Sequence, residues 1–263
     1  MSFRDQVVWI TGASSGIGEA LAYALSERRA RLIVSARREQ KLLEVQAACA
    51  DPHAHLVLPL DLTDPEAIEP VTTAALKHGN RIDILIHNAG LSQRSLAKDT
   101  SLEVVRRILE TNFFGTVALT VALLPAMLER RVGRFVVVTS LVGKFGTPLR
   151  SAYAASKHAL HGFFDSLRAE VWGAGLRVTL VCPGFIRTDL PLHALTGDGS
   201  PQAKMDRAQE EGYPAERCAR EILRAIERDR EEVLIGGKEK YAVYLKRFLP
   251  GVFSRVIRRV RVT

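Results

Sequence analysis

The sequence predicts an α/β fold in which a doubly wound parallel sheet of seven strands carries helices on both faces. Short apolar runs alternate with amphipathic stretches of helical length along most of the chain. The apolar runs are continuous, as is typical of strands that are buried on both faces. Since a helix separates each strand from the next, right-handed crossovers would bring the strands into one sheet, with ligands beyond their carboxyl ends.

The predicted elements follow one another without an internal repeat or a low-complexity linker, so we expect one domain over residues 1–263. The expected strands are 7–10, 32–34, 56–58, 82–86, 134–138, 178–181 and 232–235. The expected helices are 16–29, 39–50, 65–77, 102–130, one that carries Tyr153, and 214–228. This order is typical of a Rossmann-type sheet.

The composition excludes several classes of protein. Three scattered cysteines, Cys49, Cys182 and Cys218, do not form a disulfide or zinc framework. The histidines lack metal-ligand spacing with cysteines or acids, so no catalytic metal is expected. The start of the chain has no signal-peptide pattern and no run approaches about 18 uninterrupted apolar residues. We therefore expect a cytoplasmic protein in a reducing compartment.

The net charge of +8 is concentrated in a C-terminal extension, residues 238–263, which contain eight basic residues and one acid, Glu239. The body is nearly neutral, which argues against nucleic-acid binding by the whole protein. Apolar residues recur in the extension at a helical spacing, and Pro250 suggests two short helices. These apolar positions are 241, 245, 248, 252, 256 and 260. The extension either packs against the body or a partner subunit, or lies on an anionic membrane surface, and we favour both over nucleic-acid binding.

A glycine-rich turn follows the first strand and opens the first helix. Residues 11–18 read Thr-Gly-Ala-Ser-Ser-Gly-Ile-Gly. Glycines let the backbone approach a phosphate closely, and the helix N-terminus offers unpaired N–H groups and a positive dipole end. In this strand-to-helix context the turn predicts a dinucleotide site. Its residues are Gly12, Ser14, Ser15, Gly16, Ile17 and Gly18.

The end of the second strand indicates which dinucleotide is bound. An acid at this point holds the ribose 2′-hydroxyl of NAD, whereas an arginine accommodates the 2′-phosphate of NADP. Here Ser35 and Ala36 are followed by Arg37 and Arg38, with no acid. Because guanidinium matches phosphate well, NADP(H) is the expected cofactor. The alternative is that both arginines only form a solvated helix start.

Tyr153 and Lys157 lie four residues apart on a predicted helix and therefore share a face. A nearby ammonium group favours the phenolate and lowers the pKa of tyrosine from its usual value near 10. General acid–base catalysis at neutral pH requires such a shift. Alone, the pair could equally lie on a solvated face, so the motifs around it decide its interpretation.

With these motifs, residues 7–235 resemble the short-chain dehydrogenase/reductase family. The turn at 11–18 is similar to the family's cofactor motif. Asp61, followed by Leu62, resembles the acid that contacts the adenine, and Asn88-Ala89-Gly90 resembles the family's turn after the fourth strand. Asn112, Ser140, Tyr153 and Lys157 match the catalytic positions, and Pro183, Gly184, Ile186 and Thr188 resemble the segment that holds the nicotinamide carboxamide. One departure is His87, where many members have asparagine, and we expect a partly buried turn histidine there.

The resemblance implies hydride transfer between NADP(H) and a carbonyl or secondary alcohol. Ser140 and Tyr153 would hold the substrate oxygen, and Tyr153 would donate its proton. Lys157 would lower the tyrosine pKa and bind the nicotinamide ribose, and Asn112 would resupply the proton through water. A homodimer or homotetramer is also implied. The alternatives are a non-catalytic NADP-binding regulator and a membrane-surface adaptor.

The irregular stretch 189–213 is expected to be a lid that covers the substrate, since long loops in compact domains are often functional. Its apolar residues either line an apolar substrate pocket or simply pack the lid. The candidates are Leu190, Leu192, Leu195 and Met205, with Phe145 and Leu149 near the tyrosine in sequence. The layout resembles a family branch that reduces lipid-like or steroid-like carbonyls, some of whose members associate with membranes.

Overall fold

The computed structural model describes residues 2–259 and has one parallel sheet of seven strands at its centre. The strands in chain order are β1 (Val7–Thr11), β2 (Arg31–Ser35), β3 (Leu56–Val57), β4 (Ile84–His87), β5 (Gly133–Val138), β6 (Leu176–Pro183), β7 (Ile186–Arg187), β8 (Tyr213–Pro214) and β9 (Glu232–Ile235). The large sheet has the order β3-β2-β1-β4-β5-β6-β9, and β7 pairs with β8 apart from it. The predicted doubly wound fold is confirmed, with its switch point between β1 and β4.

Helices cover both faces of this sheet. They are α1 (Gly16–Ser26), α2 (Glu39–Ala48), α3 (Pro65–Gly79), α4 (Leu102–Leu109), α5 (Gly115–Arg130), α6 (Ser151–Val171), α7 (Arg207–Glu210), α8 (Ala215–Glu227), α9 (Tyr241–Phe248) and α10 (Pro250–Ile257). Helix α1 ends three residues before the expected position 29, where Arg29 takes a left-handed φ of 61°. The other bounds lie close to those predicted.

Side chains that alternate along β1 enter two different core layers. Val8 and Ile10 pack in the layer that holds α1 and α8, whereas Val7 and Trp9 pack in the layer that holds α3 and α5. Successive side chains of a strand point to opposite faces, so a continuous apolar strand requires cover on both sides. The sheet therefore holds its carboxyl edge, where the sequence motifs lie, between two rigid layers.

The expected helix 102–130 is interrupted by a π-helical segment, Glu110–Phe114, between α4 and α5. A single continuous α-helix was therefore the wrong prediction. Such π segments often occur at functional sites, and this one contains Asn112. By length and mean hydropathy, Leu102–Arg130 is the one helix among residues 2–259 that is able to cross a membrane. Its residues Leu119, Leu123 and Met127 are buried against the sheet, as in a core helix.

The expected lid stretch is tied to the loop after β4. Leu195 N donates to Ser92 O at 2.9 Å, and Arg94 N donates to Leu195 O at 2.8 Å. The short strand β8 at its end pairs with β7, just after the sixth strand of the sheet. The stretch therefore lies at the carboxyl edge of the sheet, between the end of β4 and the end of β6.

The C-terminal extension forms two helices, α9 and α10, and Pro250 separates them as predicted. Phe253 is 5% exposed and its ring lies 5.2 Å from that of Phe145, in a cluster that also contains Tyr153. The extension therefore packs against the body beside the predicted catalytic residues. The expected apolar position Val260 and the basic Arg261 lie outside the described residues.

Candidate active site

The glycine-rich turn between β1 and α1 has no room for side chains at its glycines. Gly12 has a φ of 66°, and a Cβ there would lie 2.7 Å from Ala89 Cα. A Cβ at Gly18 would lie 2.3 Å from Gly12 O. The glycine turn, the start of α1 and the loop after β4 are therefore in backbone contact. This arrangement leaves the N-terminus of α1 open to a phosphate group.

Asn88 joins this turn to the end of β4. Its Nδ2 donates to Thr11 O at 3.2 Å and to Gly12 O at 3.0 Å. In return, Thr11 Oγ1 accepts from Asn88 N at 3.1 Å. The strands on either side of the switch point are thus locked together by side-chain bonds in addition to the sheet register.

The guanidinium groups of Arg37 and Arg38 follow the end of β2. Arg38 reaches back over the glycine turn, and its Nη2 donates to Ser14 Oγ at 3.1 Å and Ser15 Oγ at 3.3 Å. Arg37 is exposed and lines the same wall of the cleft. Asp61 follows the neighbouring strand β3 and also lines the cleft, and its Oδ1 accepts from Thr63 N at 3.0 Å. The wall beyond β2 is therefore cationic, and the guanidinium of Arg38 has a fixed place.

Tyr153, Lys157 and Ser140 come together where β5 and β6 end. Tyr153 and Lys157 are buried on α6, and the Lys157 Nζ lies 5.7 Å from the centre of the tyrosine ring. The Ser140 hydroxyl lies near enough to the phenol of Tyr153 to act to lower the pKa of that tyrosine. Ser140 Oγ also donates to Pro183 O at 3.3 Å. Three groups from α6 and from the turn after β5 thus face one point in the cleft.

The electrostatics of this group differ from the expectation. Burial raises the pKa of Tyr153, while Arg150, the Ser140 hydrogen bond and Arg94 act to lower it. Burial also lowers the pKa of Lys157 to about 8, and its Nζ donates to Val138 O at 3.0 Å. Arg150 and Arg94 therefore supply positive charge near the phenol that the sequence analysis did not foresee, while the ammonium group of Lys157 donates to a backbone carbonyl. The effect of Lys157 on the tyrosine pKa stays a prediction.

Asn112 lies fully buried behind the cleft, in the π-helical segment. Its Oδ1 accepts from Leu91 N at 2.7 Å, and its Nδ2 donates to Leu91 O at 2.9 Å and to Ser156 Oγ at 2.9 Å. Both amide atoms are thus used to fix the loop after β4 against α6. Its part in a proton relay stays a prediction.

The predicted site residues form one continuous cleft at the carboxyl edge of the sheet. Gly18 and Asn112 lie beneath its floor, and the others line it. The lining members are Gly12, Ser14, Ser15, Gly16, Ile17, Arg37, Arg38, Asp61, Leu62, Asn88, Ala89, Gly90, Ser140, Tyr153, Lys157, Pro183, Gly184, Ile186 and Thr188. Residues separated by more than 170 positions in the sequence are therefore neighbours here.

The lid contributes fewer apolar residues to the cleft than expected. Leu190 and Leu195 line it together with His193, while Leu192 and Met205 do not. Phe145 is also outside the cleft, because its ring packs against Phe253 of the C-terminal extension. Of the two alternatives, lining of the cleft therefore holds for Leu190 and Leu195, whereas the other candidate residues lie outside the cleft.

His87 differs from the expectation of a partly buried histidine in a turn. It ends β4 fully buried and stacks near Phe135, at 6.5 Å between ring centroids, instead of lying partly exposed in a turn. Burial lowers the pKa of His87 to about 3, so it is neutral, and its Nε2 lies 2.8 Å from Thr120 Oγ1. It is a core residue with no access to the cleft.

Four polar residues next to the site were missed by the sequence reasoning. They are Gln93, Arg94, Arg150 and Asp206, all of them buried. Gln93 Oε1 accepts from Ala152 N at 2.8 Å and from Tyr153 N at 3.4 Å, and so holds the start of the catalytic helix. A polar residue in a loop has no periodicity, and its partners lie far away in the sequence, so no local pattern reveals it. Among residues 2–259 we find no group of three or more histidine, cysteine or acidic side chains able to hold a metal ion.

Comparisons with known proteins agree with this geometry. The family profile described as short chain dehydrogenase matches residues 6–195. The sequence is 42% identical over 263 residues to "Dehydrogenase/reductase SDR family protein 7-like" of Anopheles gambiae, covering 97% of this chain and 83% of the relative. It is 43% identical over 253 residues to "Dehydrogenase/reductase SDR family member 7" of Homo sapiens, covering 94% and 75% of the two chains.

Solved structures show the same fold. A short-chain dehydrogenase from Streptomyces avermitilis superposes with a TM-score of 0.82 at 31% identity, covering 97% of this chain and 96% of the other. A short chain dehydrogenase from Burkholderia cenocepacia in complex with NADP gives a TM-score of 0.81 at 24% identity and covers 98% and 99%. One from Burkholderia phymatum in complex with NAD gives 0.83 at 21% and covers 100% and 98%.

Proposed function

The chain belongs to the short-chain dehydrogenase/reductase family, and from that premise we propose that it is an oxidoreductase that transfers a hydride between NADP(H) and a carbonyl group or secondary alcohol. The observation that carries this proposal is the joining of Ser140, Tyr153 and Lys157 to the glycine turn in one cleft. A proton-transfer group at one end and a phosphate cradle at the other are what hydride transfer from a dinucleotide requires.

The residues of the cleft fit a nicotinamide dinucleotide. A Cβ at Gly16 would lie 2.9 Å from Thr188 Cγ2, so the glycine turn and the segment after β7 are in close contact. The turn would hold the pyrophosphate, and the segment from Pro183 to Thr188 would hold the nicotinamide carboxamide. When bound, the cofactor supplies or accepts the hydride.

Residues of the protein would bind the substrate and transfer the proton. Ser140 and Tyr153 hold the substrate oxygen, and the phenol of Tyr153 gives up its proton in the direction of reduction. Lys157, whose ammonium group faces the same point, would hold the ribose hydroxyls. The burial of Tyr153 and Lys157 excludes water from these two groups, which strengthens their hydrogen bonds.

Arg38 supports NADP(H) over NAD(H). Its guanidinium is fixed above Ser14 and Ser15, beside the place where the adenosine ribose would lie if the pyrophosphate binds at the turn. A planar guanidinium binds phosphate through several donors, whereas a ribose hydroxyl prefers a carboxylate acceptor. Structures of this fold are complexes with NADP in one case and with NAD in another, so the proposal of NADP(H) rests on the arginines.

We propose an apolar carbonyl compound as substrate, since Leu190 and Leu195 line the cleft beyond Tyr153. The test is turnover of purified protein with NADPH, and separately with NADH, against a panel of aldehydes and ketones of graded size and polarity. Faster oxidation of NADPH with the apolar members supports the proposal. NADPH binding without turnover of any member would instead support the alternative, a non-catalytic NADP-binding regulator.

We also propose a homo-oligomer in the cytoplasm. Large apolar residues are exposed on the helical run 102–130 and beyond α6, as expected for a face that a second copy covers. They are Phe114, Val121, Leu128 and Trp172. Sedimentation of the native protein tests this: a dimer or tetramer agrees, and a monomer at micromolar concentration contradicts it.

Contact of the C-terminal extension with an anionic membrane surface is a second proposal. Beside the face that packs on the body, α9 and α10 expose apolar side chains between basic ones, which fits the interface of an anionic bilayer. The exposed apolar members are Tyr241, Tyr244, Phe248, Leu249, Val252 and Val256. Flotation with anionic vesicles should be strong for the native protein and lost for Phe248→Glu with Val252→Glu. Equal flotation of both proteins would contradict it.

A further inference from the structure

The one acidic residue of the C-terminal extension, Glu239, contacts the segment that follows β6. It belongs to a short 3₁₀ helix, Lys238–Lys240, which lies between β9 and α9. The segment that it contacts is 183–188, four of whose residues line the cleft. Glu239 itself does not line the cleft, so this contact has no part in the function proposed above and requires its own explanation.

The carboxylate of Glu239 accepts hydrogen bonds from two backbone N–H groups. Phe185 N donates to Glu239 Oε1 at 3.3 Å, and Gly237 N donates to the same oxygen at 3.0 Å. A hydrogen bond to an ionised acceptor is roughly twice as strong as one between neutral groups. One carboxylate oxygen therefore joins the segment after β6 to the segment after β9, between residues 54 positions apart in the sequence.

Glycines make room for this carboxylate. A Cβ at Gly184 would lie 2.3 Å from Glu239 Oε1, and a Cβ at Gly236 would lie 2.4 Å from the same oxygen. A Cβ at Gly237 would lie 2.8 Å from Oε2. The carboxylate thus occupies the space that side chains at these three positions would need, and it lies directly against the backbone of the segment 183–188.

The bond from Phe185 N fixes the peptide group between Gly184 and Phe185. A peptide group is planar, and its N–H and C=O point in opposite directions when it is trans. Because the N–H is directed at Glu239, the Gly184 carbonyl points away from that carboxylate. Since Gly184 lines the cleft, the orientation of the backbone groups at this wall depends on Glu239.

The segment also has backbone partners on two other sides. Gly184 N donates to Ile235 O at 2.7 Å, and Tyr213 N donates to Phe185 O at 2.8 Å. The segment is therefore held by the end of β9, by β8 and by the start of the extension. Of these three contacts, the one with the extension is made by an ionised side chain, so a single substitution removes it without changing the backbone partners.

The packing of the extension keeps Glu239 in this place. Phe253 of α10 is buried in the apolar cluster that contains Tyr153 and Cys182, and Ala242 and Val243 of α9 pack against the same cluster. The extension therefore lies behind the catalytic tyrosine as well as behind the segment 183–188.

We propose that Glu239 is a positioning residue that orients the segment 183–188 toward the nicotinamide ring of the bound cofactor. It acts through the backbone of Gly184 and Phe185 and contacts neither cofactor nor substrate. The start of the extension thus completes the nicotinamide end of the cofactor site. This inference rests on the proposed function, in which the segment holds the nicotinamide carboxamide.

The test compares two ligands that differ in the nicotinamide. The native protein, Glu239→Ala and Glu239→Gln are each titrated by calorimetry with NADPH and with 2′-phospho-ADP-ribose, which lacks the nicotinamide ring. In Glu239→Ala, NADPH should bind about 10-fold more weakly, because the charge-assisted bond that orients the segment is lost. The affinity for 2′-phospho-ADP-ribose should stay within about twofold, since its phosphates would lie at the glycine turn and at Arg38.

Glu239→Gln keeps an acceptor oxygen but removes the charge, so NADPH should bind about threefold more weakly. This variant carries the test if Glu239→Ala fails to fold. Glu231→Ala is the matched control, because it makes the same change of charge as Glu239→Ala on an exposed residue at the other end of β9. Both affinities of this control should stay at their native values.

A merely structural role of Glu239 would weaken the binding of both ligands together. Equal weakening of NADPH and 2′-phospho-ADP-ribose, or native NADPH affinity in the variants of Glu239, would overturn the proposal. The titrations need no turnover and so separate this inference from the proposed function. A native protein that binds NADPH, together with equal losses in the variants, leaves the proposed function standing and removes only the role of Glu239. A native protein that binds neither ligand contradicts both.

Discussion

The two ends of the cleft are built in different ways. At the cofactor end, the turn after β1, the helix α1 and the loop after β4 meet through their backbones, at separations that exclude even one methyl group at Gly12 or Gly18. At the substrate end, the parts meet through long side chains, as in the contact between Arg94 and Asp206, 112 residues apart. The cofactor end is rigid because its backbone contacts leave no space for an added side chain. The substrate end is held by side-chain contacts that a single substitution removes.

This difference indicates which end of the cleft tolerates amino-acid substitutions. A backbone cradle recognises a constant ligand part such as pyrophosphate, while a lid held by side chains is suited to substrates that differ. Lys157 lies between the two ends, because it faces both Tyr153 and the loop that contains Gly90. The substitutions below are chosen to separate the two ends.

Lys157→Ala should have the largest effect, since it acts on both ends at once. We expect kcat to fall about 1,000-fold, within the range for loss of an acid–base component, and NADPH affinity to fall as well. Steady-state kinetics and a fluorescence titration of NADPH measure the two effects. Lys144→Ala, on a lysine that pairs with Glu232 at 2.5 Å outside the cleft, is the control. Loss of one effect without the other would show that the two ends are independent at this residue.

Gly18→Ala tests the rigidity of the cofactor end. The added Cβ would lie 2.3 Å from Gly12 O, so the turn must shift, and NADPH should bind about 100-fold more weakly. Gly162→Ala is a matched helical control, because no atom lies within 4 Å of its added Cβ. Unchanged NADPH affinity in Gly18→Ala, measured by calorimetry, would mean that the glycine turn is more flexible than its contacts indicate.

Arg38→Ala tests cofactor selection at the same end. Losing a charge-assisted contact to the 2′-phosphate should weaken NADPH roughly 30-fold and leave NADH nearly unchanged. Both arginines are exposed, and Arg37→Ala distinguishes the guanidinium that donates to Ser14 and Ser15 from the one that does not. A larger loss for Arg37→Ala than for Arg38→Ala in NADPH titrations would reverse this assignment.

Phe253→Ala addresses the substrate end through the C-terminal extension. Removing the ring that packs against Phe145 should cost about 3 kcal/mol of folding free energy and lower the melting temperature by several degrees. Phe248→Ala, at 73% exposure on the same extension, should change stability by less than about 0.5 kcal/mol. Equal melting temperatures for both variants would show that the extension does not stabilise the body.

The sequence was most informative where function depends on neighbouring residues. The glycine turn, the arginines after β2 and the four-residue spacing of Tyr153 and Lys157 are local patterns, and the structure places them as expected. His87 was misjudged because its burial between Phe135 and Phe164 depends on strands and helices that are distant in the sequence. The charges of Arg150 and Arg94, which act to lower the pKa of Tyr153, were not foreseen for the same reason, since tertiary contacts determine which cations lie near the phenol.

The most direct test of the central claim is a comparison of NADPH binding and single-turnover reduction in the native protein and in Tyr153→Phe. The substitution removes only the phenolic hydroxyl from a cleft whose cofactor end is built elsewhere. We predict that NADPH affinity stays within about twofold while the rate of reduction falls at least about 1,000-fold. Reduction by Tyr153→Phe at a rate near that of the native protein would contradict the account.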